Sequence, residues 1–120
     1  MRLNPSCIRE ILLAAEDVIT YDKSFHYQKG QISKLTLTYT HDEILYHISQ
    51  AKDAGLITTS PFYDSGEFLY ITDITPYGHE FLANIRPESV WDKIKALGTP
   101  SLPILLTLAK DFALAYYQKS

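Results

Sequence analysis

An α+β domain, mainly α, is predicted by three observations: cap-then-proline helix openings at Asn4-Pro5 and Thr75-Pro76, a capping box at Thr40-His41-Asp42-Glu43, and an alternating run after Gly66. The chain of 120 residues is 46% hydrophobic and 21% charged, the balance of an ordinary globular domain and not of a fibrous or disordered polymer. A chain of this size buries roughly two-thirds of its unfolded surface, enough for one core without disulfide or metal. One domain over residues 1–97 is expected, followed at 98–120 by a C-terminal helix that packs on it or forms a dimer contact.

The first helix follows from Ile8, Ile11, Leu12, Ala15, Val18 and Ile19, apolar at three- and four-residue steps with Arg9, Glu10, Glu16 and Asp17 between them. Thr20 to Gly30 reads as a polar connection, and Ile32 to Tyr39, rich in Thr, Leu and Ile, as a short strand. In the Thr40 capping box the hydroxyl accepts the N–H of Glu43, whose carboxylate reaches back. Ile44, Leu45, Ile48 and Ala51 then make an inward stripe, and Gly55 supplies a left-handed cap. Leu56–Ser60 and Glu67–Ile74 read as a β-hairpin, with Asp64, Ser65 and Gly66 in the turn. Phe81, Leu82 and Ile85 mark the next helix, Pro87 opens a short one carrying Val90, Trp91 and Ile94, and a last helix starts near Ser101.

Helix, short strand, helix, hairpin, helix is the plan of a winged helix-turn-helix with a two-stranded wing and additional C-terminal helices. The exit Ala54-Gly55-Leu56-Ile57 is similar to the end of a winged-helix recognition helix, and Ile74-Thr75-Pro76-Tyr77-Gly78-His79-Glu80-Phe81-Leu82 to the helix that follows a wing. Gly78 lets that helix pack closely. Between the first helix and Thr40 the middle helix of the motif is reduced, with a short helical turn expected within Gln31 to Thr38.

Taken together, Cys7-Ile8-Arg9-Glu10-Ile11-Leu12-Leu13, Glu43-Ile44-Leu45-Tyr46-His47-Ile48, Gly78-His79-Glu80-Phe81-Leu82-Ala83-Asn84-Ile85-Arg86 and Val90-Trp91-Asp92-Lys93-Ile94-Lys95 resemble domain-of-unknown-function family 2513 (DUF2513). The resemblance covers nearly the whole chain. It implies a winged-helix-like fold and a bacterial, phage- or prophage-associated setting, with no particular activity.

Eleven Lys+Arg against fourteen Asp+Glu give a formal charge of −3, so any contact with nucleic acid has to be local. If the helix at 41–54 enters a major groove, Tyr46, Ser49, Gln50 and Lys52, with Lys34 nearby, are the candidate contacts to double-stranded DNA. Gln50 has the chemistry to read adenine; the bland alternative is a solvated amide, because Asp42 and Asp53 flank the same side. At the wing tip Asp64 and Glu67 carry the wrong sign for a groove, whereas Phe62 and Tyr63 suit an apolar partner. Lys23, Lys29, Lys34 and Lys52 either gather on one face or stay a solvated scatter.

Catalysis finds little support. His26, His41, His47 and His79 lack metal-pair spacing, a single cysteine rules out a conventional zinc set, and no nucleophile elbow or phosphate loop occurs. His47 and His79 read as structural histidines, and Cys7 as a small core residue in a reducing compartment. No enzyme activity, cofactor or metal is expected. An early Arg9-Glu10 pair disfavours a signal peptide, and Lys110-Asp111 interrupts the apolar run from Leu102 to Tyr117, so a cytoplasmic protein off the membrane is expected. That last helix is apolar on more than one side, with Leu105, Leu108, Phe112 and Tyr116 as candidate partner contacts. A homodimer through this helix and the first one is expected, the alternative being packing within the chain. The expected function is DNA binding in transcriptional control; the competing class is a protein-interaction or structural module.

Overall fold

The computed structural model describes residues 1–118. Helix α1 (Pro5–Val18) opens where the Asn4 side chain accepts the Ser6 N–H at 3.0 Å, and Pro5 loses nothing by lacking its own. Its buried face, Cys7, Ile8, Ile11, Leu12 and Ala15, is fully enclosed, and the other early elements and helices are assembled around it.

Strand β1 (Phe25–Gln28) lies inside the stretch expected to be a polar connection. Only Tyr27 on it is buried, at 1% exposure, while His26 and Gln28 face outward. The strand therefore rests on buried Tyr27, on the partly buried Phe25 beside the core and on ladder hydrogen bonds, none of which shows as a hydrophobic run. Helix α2 (Lys34–Thr38) replaces the strand expected over Ile32–Tyr39 and falls within the segment where a helical turn was also expected. Its β-branched threonines favour extended backbone, but the Ser33–Thr36 capping box closes the first turn and Leu35 anchors it to the core.

Helix α3 (His41–Asp53) starts at the expected capping box: Glu43 N–H donates to Thr40 Oγ1 at 3.1 Å, and Thr40 N–H donates to Glu43 Oε1 at 3.0 Å. It ends at Gly55, whose φ of 80° lies in the left-handed region. Strand β2 (Ile57–Thr59) and strand β3 (Phe68–Ile74) form the expected hairpin, with a register shift at Thr58/Thr59 and a tight turn at Asp64–Gly66. The sheet is three-stranded and antiparallel, ordered β1-β3-β2, so the hairpin is completed by β1 instead of standing as two strands. His26 lies opposite Tyr70, and Tyr27 opposite Leu69.

Helices α4 (Pro76–Ile85), α5 (Glu88–Lys95) and α6 (Leu102–Gln118) follow, making the protein mainly helical α+β. Thr75 caps α4 by accepting the Gly78 N–H at 3.0 Å. A single core joins α1, α3, the inner sheet face and α4 to α6 through residues such as Ile48, Leu69, Leu82 and Leu105.

Candidate recognition surface

Helices α2 and α3 meet across Tyr39-Thr40, and α3 turns its Ile44, His47, Ile48 and Ala51 inward. What it leaves outward decides what it can recognise. Tyr46, Ser49 and Gln50 are half-buried, and Lys52, Asp42 and Asp53 are exposed. Three of the candidate groups therefore occupy the middle of the helix, with an acid at each end and one cation.

The remaining candidates lie apart from these. Lys34 starts α2 with its side chain 84% exposed, and its Nζ pairs with Glu10 of α1 at 3.5 Å. Lys52 lies 5.7 Å from the centre of the Phe62 ring, so the cation and the wing tip share one edge of the molecule. Tyr63 is 40% exposed and stacks on Phe68 with ring centres 4.9 Å apart. Next to it Asp64 and Ser65 take φ of 51° and 59°, left of the usual region, and Gly66 at 93° sits against the Leu45 side chain of α3. The wing tip is thus fixed beside the recognition-helix candidate by a glycine contact.

The charges at the start of α3 are already satisfied. Hydrogen bonds from the Thr40 backbone and side chain hold the Glu43 carboxyl below the usual carboxylate range, so this helix N-terminus carries its own anion. His47 behaves as the structural histidine expected: its Nε2 accepts the Asn4 N–H at 2.8 Å, and its Nδ1–H donates to the Glu43 carbonyl at 2.7 Å. Burial pushes its pKa down. His79, by contrast, is exposed on α4 and shares a groove with Glu16, Tyr21 and Asp73. Burial drives the Cys7 thiol up to about 12, which removes it as a nucleophile.

Several of the basic residues outside α3 are engaged. Arg86 makes a two-pronged contact to Glu16 at 2.7 and 2.8 Å, Lys95 pairs with Asp92 at 3.4 Å, and Arg9 lies 4.6 Å over Trp91. A groove of about 490 Å³ between α1, β1 and α2 is lined by Arg9, Glu10, Phe25, Lys34 and Arg86, but each of those cations has one of these partners. The described residues contain no group of three His, Cys, Asp or Glu that could hold a metal.

The partner candidates on α6 separate. Leu105 is fully buried on the side facing α4 and α5, so it belongs to the core and not to a free surface. Leu108 and Phe112 are half-buried, the latter with Lys93 5.6 Å over its ring, while Tyr116 is 43% exposed. The first helix offers no free apolar face, since its stripe is spent inside the core. Sequence reasoning missed a contact at the start of α3, where the Tyr27 hydroxyl is hydrogen-bonded to His41 Nδ1 at 2.6 Å and the two rings stack. It also missed Ile32 and Leu37, 87% and 78% exposed at α2. Only the placement of β1, which the polar context of Phe25–Gln28 conceals, would have revealed the first.

Fold and surface together define a small, mainly helical α+β domain with a three-stranded antiparallel sheet and a helix pair whose second member turns one side outward beside a hairpin tip. Among the described residues no helix is long and apolar enough to cross a membrane. The chain belongs to the family described as Hypothetical protein (DUF2513), whose profile matches residues 2–100, so that α6 lies beyond the matched region. No curated protein and no solved structure matches the chain.

Proposed function

We propose that α2, α3 and the β2–β3 hairpin act as a winged helix-turn-helix that binds double-stranded DNA in bacterial transcriptional control, in the cytoplasm and in a phage- or prophage-derived setting. One observation carries the reading: the order α1, β1, α2, α3, β2, β3, with β3 central in the sheet, puts a helix pair directly before a hairpin whose tip touches its second helix. In this reading α3 offers Tyr46, Ser49 and Gln50 to a groove and Lys52 to phosphate, and α2 offers Lys34 to phosphate.

A second reading, a winged module that docks on protein, is favoured by the acids Asp42, Asp53, Asp64 and Glu67 around the same surface and by the Tyr63–Phe68 stack at its tip. Titration of a labelled mixed-sequence duplex at about 20 and about 200 mM salt separates them. With two lysines as the phosphate contacts, the affinity should fall with a log–log slope of about −2, and Lys52→Glu should abolish binding. No binding even at the lower salt would remove the DNA reading and leave the protein-docking one.

A further inference from the structure

His47 is the one polar or charged side chain buried in the core among the described residues, and the proposed recognition makes no use of it. Its two ring nitrogens serve different parts of the fold. Nδ1–H donates to the Glu43 carbonyl one turn back on its own helix at 2.7 Å, whereas Nε2 accepts the N–H of Asn4, 43 residues away in sequence, at 2.8 Å. Asn4 is where the chain enters α1: its side chain accepts the Ser6 N–H, and its carbonyl accepts the N–H groups of Cys7 and Ile8. Residues 1–3, before it, make no hydrogen bond among the described residues. They are anchored by Leu3, buried between exposed Met1 and Arg2, and by the Asn4–His47 bond at their end.

A proton on Nε2 puts a donor where an acceptor has to be, so that the Asn4 N–H faces a second N–H. The Glu43 bond survives, because a charged ring is a stronger donor to a carbonyl than a neutral one. The ring therefore stays on α3, and the break falls on the chain before α1. The charges around it fit this split: on α3 the Glu43 carboxylate favours a protonated ring, while α1 brings Cys7, neutral until about pH 12, and Glu10, which acts on Cys7 and Tyr39. Residues 1–3 bring Arg2, an exposed cation of the same sign as the charged ring. Burial opposes that charge, and moving residues 1–3 aside admits water to Nε2 and removes the penalty.

We propose that residues 1–3 form a strap held shut by His47, and that protonation of its ring releases them at Asn4 while α1 keeps its cap and α3 stays folded. The device is an acid-sensitive closure at the Leu3 site, and it does not depend on what α3 recognises. The neutral ring keeps the strap shut above pH 6.5, the ordinary histidine value. Below it the ratio of closed to open strap falls by up to about tenfold per pH unit, until the pH passes the ring's own, lower folded value.

NMR of the full chain, labelled in its amides and methyl groups, tests this between about pH 7.5 and about pH 5, above the window in which the Glu43 carboxyl takes its proton. Backbone order at Leu3 and Asn4 should be lost with the same midpoint as the His47 ring signals, while Ile44 to Ser49 keep theirs. Closure and protonation oppose each other, so Leu3→Ala, which weakens closure, should raise the midpoint of the His47 ring toward 6.5. His47→Gln has no proton to take up and should leave Leu3 and Asn4 unchanged over the whole range. A strap that stays ordered down to about pH 5, a His47 midpoint indifferent to Leu3→Ala, or loss of order at Ile44 to Ser49 together with Leu3 would overturn the proposal.

Discussion

His47 ties the start of α1 to the start of α3, because one ring nitrogen takes the Asn4 N–H and the other donates to the Glu43 carbonyl. The bond from Asn4 requires the neutral ring: a proton on Nε2 would abolish the acceptor and place a charge in a site 1% exposed, which outweighs the Glu43 carbonyl's preference for a protonated ring. The folded pKa therefore lies below the unfolded value of 6.5. Stability from this group is complete above pH 6.5 and is lost as the pH falls below it, since the unfolded chain then binds the proton more readily. Thermal melts should show a Tm lower at pH 5 than at pH 7, and His47→Gln should flatten that difference while costing about 1–3 kcal/mol at neutral pH. Glu43 contributes in a separate window: its carboxyl is held down by Thr40, so its share is present above its ordinary 4.5 and is lost only below it. An unchanged pH profile in His47→Gln would show that the ring is not what links the two helices.

Helix α4 sits where it does because Gly78 has no side chain. A Cβ there would overlap the Leu56 carbonyl oxygen and come within 2.8 Å of Ile74 Cγ2, so the helix start lies flat on the base of the hairpin. Gly78→Ala should cost about 3 kcal/mol or more in urea denaturation, despite the better helix propensity of alanine, because the obstruction is backbone. A loss under about 1 kcal/mol would mean that α4 is free to lift. Gly78 could be read in advance, as could α1, α3 and the hairpin, because caps and periodic stripes are local signals. β1 could not, since it owes its state to Tyr27 and to a strand remote in sequence, and α2 was legible only as a short helical turn within Gln31 to Thr38, beside a competing strand reading. The Ser33–Thr36 box that closes the first turn of α2 lies among threonines that favour extended backbone, so the segment carries both signals. The same limit applied to the surface. Exposure of Lys52 and half-burial of Gln50 follow from the stripe of α3, whereas the pairing of Lys34 with Glu10 and the burial of Leu105 depend on how separate helices meet.

At the scale of the whole molecule, acids outnumber bases by three, and several bases are already paired with acids or rings. Long-range attraction to a polyanion is therefore weak, and contact has to come from short-range complementarity at α3 and the wing. On the proposed function, α3 and the hairpin tip form the recognition face. Its most direct measurement is a two-dimensional NMR titration of labelled protein with a DNA duplex at about 20 mM salt. Shifts should concentrate at Tyr46, Ser49, Gln50, Lys52 and Lys34, with the core of α1 unmoved; a spectrum that does not change, or shifts confined to α5 and α6, would rule this face out.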